Sequence, residues 1–418
     1  MGVVAPNGVG LEAYDQALRE GISGISHNEQ MAESKFACTV AGVPEGTDEL
    51  AESYFAEDEL LAMNSSHRFG CIAAMDAWTD AGFEVPDPAG DHVYWEAGAV
   101  IGTGIGGLDT VGNKLVPMVD AGRVRRLGST MVEQVMASGV SARVSGQLAL
   151  GNQVTANSSA CSTGSEAIFE GMHRIRSGLA ERMLCGGAEG ESHYIWSGFD
   201  SMRVLCRTHN DDPQGASRPL SASAGGFVAG SGSGVLHLES LDHAIARGAR
   251  IYAEVLGGAV NCGGHRNGGS MTAPNPVSVQ RCIRQAVDHA AIDPDEIDLI
   301  NGHLTATGAD PREVANWSAA LERGPDAFPL IHSTKSMIGH ALGAAGAIES
   351  VACLLMLRGG YVHPSINCED VHPEIEAYSA SIPHTAIDKP DLRTIIKSGF
   401  GFGDVNACLV FRKWADPV

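Results

Sequence analysis

Positively charged residues are scarce in this chain, and the shortage excludes one class of partner. Its 418 residues include 28 lysines and arginines against 50 aspartates and glutamates, which gives a formal net charge of −22. Proteins bind nucleic acids largely through cationic side chains that neutralise phosphates. The charge balance therefore predicts that nucleic acid is not a partner.

Paired cysteines and long apolar runs are also missing. The ten cysteines contain no Cys-x-x-Cys pair, so zinc ribbons and a disulfide framework are both poorly supported, and a reducing compartment is expected. No apolar run approaches the length of about 18 residues that a membrane-spanning helix needs, and no signal peptide is recognised. These absences predict a cytoplasmic protein without a membrane partner.

What is present indicates a large folded protein of the α/β class. A hydrophobic content of 44% and a charged content of 19% are typical of globular proteins, and the length allows two domain-sized units. Predicted strands alternate with helices in both halves, which favours sheets covered by helices on both faces. The pattern places a boundary near residue 250, between units 1–250 and 251–418.

Hydrophobic periodicity gives the approximate limits of the elements. The first half is predicted to contain helices over 11–19, 48–63 and 68–81, strands over 93–101 and 182–187, and a loop over 111–126. The second half is predicted to contain helices over 277–291, 311–322 and 341–357, and strands over 297–301, 328–332, 394–400 and 407–412. Such alternation is what a layered α/β fold requires.

The stretch 150–176 contains the strongest candidate for a reactive group. Residues 153–156 read as a short strand, small residues follow, and apolar positions recur at helical spacing from Glu166. Cys161 therefore lies where a strand gives way to a helix. The unpaired N–H groups and the helix dipole there favour a thiolate, the attacking form of cysteine. A buried structural cysteine is the alternative, and this context alone leaves both open.

Two other segments of the first half carry weaker signals. The glycine run 102–107 matches the letters of the dinucleotide-binding fingerprint, but no clear helix or βαβ layout accompanies it. A tight turn that lines a pocket is therefore favoured there. Arg123, Arg125 and Arg126 form a basic cluster in an acidic chain, which is either a solvated turn or a docking patch for an acidic partner.

Three stretches of the second half, 301–310, 333–346 and 399–406, each follow a predicted strand. Their chemistry-bearing residues are His303, Lys335, His340, Phe400 and Phe402. Taken singly, each has a structural explanation, such as a satisfied core histidine or a simple glycine-rich turn. Together with Cys161 they lie at strand ends, where α/β sheets gather their functional groups.

As a set, these motifs resemble the β-ketoacyl-acyl-carrier-protein synthases of the elongating types I and II, over about residues 1–413. The groups that carry the likeness are Ser159-Ala-Cys161, Gly186-Gly-Ala-Glu189, Asn301-x-His303-x-Thr305-x-Thr307, Lys335-Ser-Met-x-Gly-His340, and Gly401-Phe402-Gly403 with Asn406. The resemblance implies a thiolase-like α/β fold with αβαβα layers, made of two similar halves. The half 1–250 would hold the nucleophile. The half 251–418 would hold the histidines, the lysine and the glycine-hinged gating loop 399–406.

The resemblance also implies the reacting groups. Cys161 would accept the acyl group, His303 and His340 would handle malonyl decarboxylation, and Lys335 would keep the charge and hydrogen bonding of the site in order. The backbone N–H groups of Cys161 and Phe402 would form the oxyanion hole. Two histidines, rather than a histidine and an asparagine, favour the elongating class over the initiating one.

Further residues would shape access to the site. Phe402, beside Phe400 in the glycine-hinged loop, would gate the acyl pocket. Thr305 and Thr307 would bind substrate, and Ile105 would set the accepted chain length. The side chains expected to dock the acyl-carrier protein are Arg68, Arg125, Arg126 and Arg207. The fold implies a homodimer and leaves a heterodimer with a related subunit open.

The implied reaction is a decarboxylative Claisen condensation, so the protein would be an acyltransferase. The acyl group on Cys161 would join malonyl-acyl-carrier protein to give β-ketoacyl-acyl-carrier protein, in fatty acid or related polyene or polyketide elongation. Two imidazoles that donate hydrogen bonds would stabilise the enolate oxygen. His340, at a helix start near Lys335, is expected to have a lowered pKa and stay neutral. The reaction calls for no metal or bound cofactor, since phosphopantetheine arrives on the carrier.

The sequence departs from the family at several positions. Leu304 replaces the glycine of His-Gly-Thr and is expected to narrow or re-aim the pantetheine entrance. Asp404 and Val405 replace Gly-Thr, which places an extra carboxylate beside the gating loop. The first core strand is expected to be almost wholly missing before Met1.

Three rival functions make different demands on the sequence. A non-condensing chain-length partner of a heterodimeric ketosynthase would lack the nucleophile, which Cys161 supplies. A thiolase-type enzyme acting on coenzyme A would use a second cysteine as a base, but Cys408 falls in the closing strand rather than in the glycine loop. A binding scaffold would not need Cys161 together with His303, Lys335 and His340. The condensing enzyme is therefore favoured.

Overall fold

Strands and helices alternate along the chain, and the computed structural model describes residues 1–415. Within that range strands β1–β16 span Gly2–Ala5, Gly8–Val9, Ile25–His27, Val40–Gly42, Ala97–Gly102, Val154–Thr155, Arg182–Glu189, Ala229–Gly230, Gly232–Glu239, Ala253–Cys262, Leu299–Asn301, Leu330–His332, Tyr361–Val362, Ile387–Asp388, Thr394–Gly401 and Val405–Lys413. Helices α1–α16 span Leu11–Glu20, Glu29–Glu33, Thr47–Tyr54, Glu57–Leu60, Ser65–Asp80, Leu108–Thr110, Val116–Asp120, Met131–Val135, Gly139–Leu148, Thr163–Arg176, His193–Ser201, Leu241–Ala246, Pro276–Ala290, Asp310–Leu321, Lys335–Ile338 and Ala345–Gly359.

Two large sheets repeat one topology. The six-stranded sheet has the order β2-β1-β9-β7-β5-β6, and the five-stranded sheet has the order β10-β16-β15-β11-β12. Starting from β6 and from β12, the neighbouring pairs are parallel, parallel, antiparallel and antiparallel in both sheets. The strands also enter the two sheets in the same chain order, apart from the short β2. This match confirms the predicted α/β fold with two similar halves.

Helices separate the two sheets and cover them, which gives five layers. α10 and α16 pack against each other and against strands of both sheets, so they form the central layer. α5 and α9 cover the other face of the six-stranded sheet. α13, with α14 beside it, covers the other face of the five-stranded sheet. The layering is therefore αβαβα, as the resemblance implied.

The two central helices approach each other closely because each presents a glycine to the other. A Cβ on Gly164 of α10 would lie 2.6 Å from the backbone nitrogen of Ala347. A Cβ on Gly346 of α16 would lie 2.7 Å from the backbone nitrogen of Ser165. Real atoms do not pack at such distances, so a side chain at either position would push the helices apart.

The central position of α16 also explains an apolar stretch of 18 residues, which makes the prediction of no apolar run near that length wrong. Leu342–Gly359 is long and apolar enough, by length and composition only, to cross a membrane. However, 89% of it is buried inside the protein, and it includes the fully buried Glu349. A core helix with protein on every side has the same composition. The stretch is therefore accounted for by its place between the sheets.

Three predictions about the first half are wrong. Gly2–Ala5 form β1 between β2 and β9, so the first core strand is present rather than missing before Met1. Most of 111–126 is helical, through the turns Val111–Leu115 and Val124–Arg126 and through α7. The predicted helix 48–63 is divided into α3 and α4, because Phe55 adopts an extended backbone as its ring enters the core.

Candidate active site

Cys161 lies in the turn between β6 and α10, where the sequence predicts it. Ser162 Oγ donates to the carbonyl oxygen of Gly399 at 2.9 Å, and Thr163 Oγ1 donates to that of Ala160 at 2.7 Å. Ala160 itself has a φ of 48°, in the left-handed region. The turn is thus fixed by side-chain hydrogen bonds, one of which reaches β15 in the other half.

Cys161, His303 and His340 converge on one spot. Cys161 Sγ lies 3.0 Å from His340 Nε2. One ligand atom from each of the three side chains lies within 4.8 Å of the other two. The two imidazoles meet edge-on, with ring centroids 5.3 Å apart. Within residues 1–415 these three side chains are also the ones grouped closely enough to hold a metal ion. The prediction that the reaction needs no metal stays a prediction.

The backbone around His340 selects which ring nitrogen carries the proton. The N–H of Leu342 points at His340 Nδ1, at 3.2 Å. A neutral imidazole has one donor and one acceptor nitrogen, so Nδ1 accepts and Nε2 carries the hydrogen. The peptide N–H of His340 donates to Val228 O at 2.7 Å, which fixes the chain at this point. His340 therefore presents an N–H donor to the sulfur of Cys161.

His303 is held by a loop whose N–H groups bind two buried carboxylates. Glu313 accepts the N–H of His303 at 2.7 Å and that of Leu304 at 2.8 Å. Asp310 accepts the N–H groups of Thr305 and the residue after it, at 2.9 and 3.1 Å. Both carboxylates come from the first turn of α14. These two acids were not predicted as site residues, although a pair of acids shortly after a histidine motif was a visible signal.

Leu304 does not occupy the place expected for it. Its side chain is fully buried in the core cluster that includes Ile300 and Trp317. It does not line the cavity that adjoins Cys161. The expectation that Leu304 narrows the pantetheine entrance is therefore wrong, because the loop turns the side chain inward at a φ of 20°.

Burial controls the protonation of the three reacting groups. It lowers the pKa of His303 and of His340 well below the ordinary value, and the charge of Lys335 lowers both further. The expected neutral state of His340 is thus supported, with burial as the larger cause. Burial raises the pKa of Cys161 to about 11, although Lys335 and backbone hydrogen bonds from Phe402 and Cys161 oppose it. The expected preference for a thiolate is therefore wrong in the free protein.

A buried charge network lies beside this group and was only partly anticipated. Lys335 forms an ion pair with Glu349 Oε1, and Lys397 Nζ lies 2.9 Å from Glu349 Oε2. All three side chains are buried. Lys335 was predicted as a site residue, whereas Glu349 and Lys397 were not. A glutamate within an apolar helix and a lysine within a buried strand were the available signals.

The end of β15 and the glycine-hinged loop after it bring the two phenylalanines to the reacting groups. Phe400 is buried, with its ring centroid 6.4 Å from that of His303. Phe402 is half-buried, and its ring centroid lies 6.0 Å from that of Phe199. Both phenylalanines line the same cavity as Cys161. The backbones of Phe402 and Cys161 both reach the sulfur, which is the arrangement that the predicted oxyanion hole requires.

The cavity next to Cys161 has a volume of about 540 Å³ and a mixed lining. Its apolar wall includes Ile105, Phe199, Phe227, Leu342 and Phe402. Its polar wall includes Asn267, Thr305, Thr307, Arg312 and Asn316. The structure thus places Ile105, Thr305 and Thr307 on the cavity, as predicted. Apolar and polar walls together suit a ligand with a hydrocarbon chain and an amide-bearing arm.

The glycine run 102–107 is a turn that lines this cavity, with an internal acid as its partner. Glu189, fully buried, accepts the N–H groups of Gly104 at 2.8 Å, Ile105 at 3.2 Å and Gly343 at 2.9 Å. These N–H groups are therefore occupied by a carboxylate of the protein itself. This arrangement fits the preferred interpretation as a turn rather than that of a dinucleotide site.

The predicted docking arginines lie outside the cavity lining. Arg125, Arg126 and Arg207 are exposed, and Arg68 is paired with Asp48. Their role remains a prediction. Arg312, an exposed cation that does line the cavity, was not singled out from the sequence.

Comparisons with known proteins identify the family to which this chain is similar. Residues 1–244 match the family model described as "Beta-ketoacyl synthase, N-terminal domain", and residues 252–369 match "Beta-ketoacyl synthase, C-terminal domain". A 3-oxoacyl-[acyl-carrier-protein] synthase 2 of Vibrio harveyi is 35% identical, with 100% of this chain and 98% of that protein covered. A 3-oxoacyl-[acyl-carrier-protein] synthase 1 of Escherichia coli strain K12 is 33% identical, with the same coverage.

Solved structures show the same fold. The ishigamide ketosynthase/chain length factor superposes with a TM-score of 0.88 at 29% identity, covering 99% of this chain and 98% of that one. A type II polyketide ketosynthase bound to the hexaketide and in complex with its acyl-carrier protein superposes with a TM-score of 0.86 at 28% identity and the same coverage.

Proposed function

The chain belongs to the β-ketoacyl synthase family, and we propose on that basis that it joins an acyl group, carried on Cys161, to malonyl-acyl-carrier protein. The product is β-ketoacyl-acyl-carrier protein, and the released molecule is carbon dioxide. The observation that carries this proposal is the group of one sulfur and two neutral imidazoles within 4.8 Å of one another, beside a cavity of about 540 Å³.

The first step is acyl transfer to Cys161. The sulfur attacks the thioester carbonyl of the incoming acyl group, the S–H bond of Cys161 breaks, and the departing pantetheine sulfur takes up a proton. The free thiol is a weak nucleophile because its pKa is raised to about 11. Two features of the site stabilise the charge that develops on sulfur: the Nε2–H of His340 at 3.0 Å and the start of α10.

The second step is loss of carbon dioxide from the malonyl group. The bond to the carboxylate breaks, and its electron pair moves into an enolate whose negative charge lies on the thioester oxygen. Neutral His303 and His340 donate N–H hydrogen bonds to that oxygen as the charge develops. Their neutral state follows from burial and from Lys335, which both lower the pKa of the two imidazoles.

The third step forms the carbon–carbon bond. The enolate carbon attacks the carbonyl carbon of acyl-Cys161, and the N–H groups of Cys161 and Phe402 receive the oxyanion. The oxyanion then re-forms the carbonyl as the C–S bond breaks, and the released sulfur of Cys161 takes up a proton from water. The pathway needs no bound cofactor, because the phosphopantetheine arm belongs to the carrier protein. We place the enzyme in the cytoplasm, with fatty acid or related polyene or polyketide elongation as its setting.

The acyl-carrier protein is the proposed macromolecular substrate, and Arg125 with Arg126 the docking cations. Both are exposed, and the relative solved with its carrier shows that a ketosynthase of this fold accepts one. Replacing both by glutamate should weaken carrier use at least tenfold while labelling of Cys161 by a small acyl thioester survives. Equal loss of both activities would mean that the arginines are structural.

We also propose that a second copy of the chain covers the apolar side chains of residues 116–119 and 132–136, and leaves Arg125 and Arg126, which lie between them in the chain, open to the carrier protein. These two segments expose the apolar side chains of Val116, Val119, Val132 and Met136, and soluble proteins seldom leave such groups open together. Sedimentation of the purified chain should give twice the mass of the monomer. A monomer that associates only with a related subunit would favour the heterodimer instead.

Mass spectrometry tests the reaction directly. The protein is incubated with acyl-carrier protein bearing an acyl group, and then with the malonyl form. We expect the acyl mass on Cys161, its loss on Cys161→Ala, and its retention on Cys262→Ala, which removes an exposed cysteine. We also expect ketoacyl product from the wild type. A folded protein that shows neither acylation nor product would be the non-condensing chain-length partner.

A further inference from the structure

Lys397 is a buried cation that the proposed mechanism does not use. It lies in β15, with a side chain that is 1% exposed. Its ammonium lies 2.9 Å from Glu349 Oε2, and it donates to the carbonyl oxygen of Ser398 at 2.7 Å and to Ser165 Oγ at 3.2 Å. All three contacts are internal, so no water is needed to satisfy this group.

The network around Lys397 has more positive than negative charge. Glu349 is a single carboxylate, and each of its oxygens is paired with a different ammonium, from Lys335 and from Lys397. Fully ionised, the three groups carry a net charge of about +1 inside the protein. A buried charge without a full counter-charge is costly, and an apolar side chain in its place would ordinarily be better tolerated.

Lys397 also connects the parts of the structure that carry the reaction. Its partner Ser165 lies in the first turn of α10, directly after the turn that carries Cys161. Its own strand also carries Phe400 and continues into the turn that holds Phe402. Glu349 lies in α16, in the central layer. The positive charge of Lys397 reaches both imidazoles, because it contributes to lowering the pKa of His303 and of His340.

We propose that Lys397 is a positioning residue for the decarboxylation step. Its ammonium gives the network of Lys335, Glu349 and Lys397 the net positive charge that stabilises the developing enolate. This inference rests on the proposed function. The Lys335–Glu349 pair is complete without Lys397, so the second cation adds charge rather than a missing partner. Lys397 lies in the protein interior, where electrostatic interactions are stronger than in water, so its charge acts strongly on an anion that develops nearby.

The test separates the charge of Lys397 from its hydrogen bonds. Lys397→Gln keeps a donor for Ser398 but loses the charge, and Lys397→Met loses both. Each is assayed for two rates: acyl transfer to Cys161, and decarboxylation of malonyl-acyl-carrier protein. We expect both variants to lose about tenfold in decarboxylation while acyl transfer changes less than about threefold. Lys389→Gln, at a lysine paired with Asp391 on the surface, is the matched control.

Restoring the charge balance gives a second readout. The double variant Lys397→Met with Glu349→Gln again leaves a net charge of about +1, now on Lys335 alone. If charge is the cause, the double variant should recover decarboxylation to within about threefold of the wild type. If Lys397 is merely structural, the losses of decarboxylation in the single variants Lys397→Met and Glu349→Gln should add in the double variant. Additive losses, or unchanged decarboxylation in folded Lys397→Gln, would overturn the proposal.

The pH profile provides a third readout. The titratable groups around the two imidazoles are Cys161, Asp310, Glu313, Lys335, Glu349 and Lys397. Without Lys397 the imidazoles gain a proton more easily, so the acid limb of the decarboxylation profile should move to higher pH. An unmoved limb contradicts the proposal. A wild type that never decarboxylates malonyl-acyl-carrier protein would instead refute the proposed function, so the two failures are distinguishable.

Discussion

Replacing Asp404 by glycine, the residue that the family has at this position, should weaken the protein. The carboxylate of Asp404 is fully buried and accepts the N–H groups of Asn275 at 2.7 Å and His265 at 3.1 Å. Ser278 Oγ lies 3.3 Å from it. The extra carboxylate therefore ties the segment 263–275 to the glycine-hinged loop. Gly263 leaves room for it, because a Cβ there would clash with the carboxylate.

The expected magnitude follows from two opposing terms. Asp404→Gly leaves two backbone N–H groups without their partner, and each such loss lowers the free energy of unfolding by about 1–3 kcal/mol. Asp404 has a φ of 60°, so glycine returns about 1–2 kcal/mol by removing the left-handed strain. The net loss should be about 2 kcal/mol. Asp404→Ala receives no such relief and should be about 1–2 kcal/mol less stable than Asp404→Gly.

Urea unfolding followed by tryptophan fluorescence measures these differences as shifts of the midpoint at constant slope. Glu322→Gly is the matched control, since Glu322 is exposed with a φ of 56° at the end of α14. That control should be neutral or slightly stabilising. Asp404→Gly with a midpoint at or above the wild type, or Asp404→Ala equal to Asp404→Gly, would refute the reasoning.

Three further perturbations test other parts of the structure. The buried, stacked His332 and His363 are neutral because burial lowers their pKa, that of His332 to about 4. The free energy of unfolding, measured from urea midpoints, should be at its maximum above about pH 6.5. It should fall by about 3 kcal/mol for His332 as the pH drops towards 4, because the unfolded chain takes up the proton first. A free energy that does not change over this range would contradict the prediction. Leu304→Ala should lose about 2–5 kcal/mol in the same assay yet leave the KM for carrier substrate unchanged. A changed KM would mean that Leu304 does shape the pantetheine entrance. Glu313→Ala should lower decarboxylation about tenfold or more by freeing the loop of His303, with acyl transfer nearly kept; equal losses would mean general unfolding.

The reacting residues were predictable from the sequence because each stands in a local pattern. Cys161 follows a short strand and precedes a helix, and His303 follows β11, so neighbouring residues alone indicate where each side chain lies. The alternation of strands and helices likewise predicted the α/β layers. In these cases the information lies within a few residues of the feature.

The errors concern properties that depend on distant parts of the chain. β1 is a strand because β9, far along the sequence, pairs with it, and four small apolar residues carry no pattern of their own. The dipole at the start of α10 suggested a thiolate, but burial by walls from both halves raises the pKa of Cys161 instead. Lys397 and Glu349 became visible as a network only when β15 and α16 were placed side by side.

The glycine contact between α10 and α16 has a consequence for how the enzyme tolerates change. The sulfur belongs to one half of the molecule and both imidazoles to the other. The spacing of α10 and α16 therefore controls the distance between the sulfur and the imidazoles. Displacements of about 1 Å are enough to slow reactions that depend on alignment. A single methyl group added at Gly164, which follows Cys161 by three residues and faces α16, would therefore slow the reaction by moving the sulfur relative to the imidazoles.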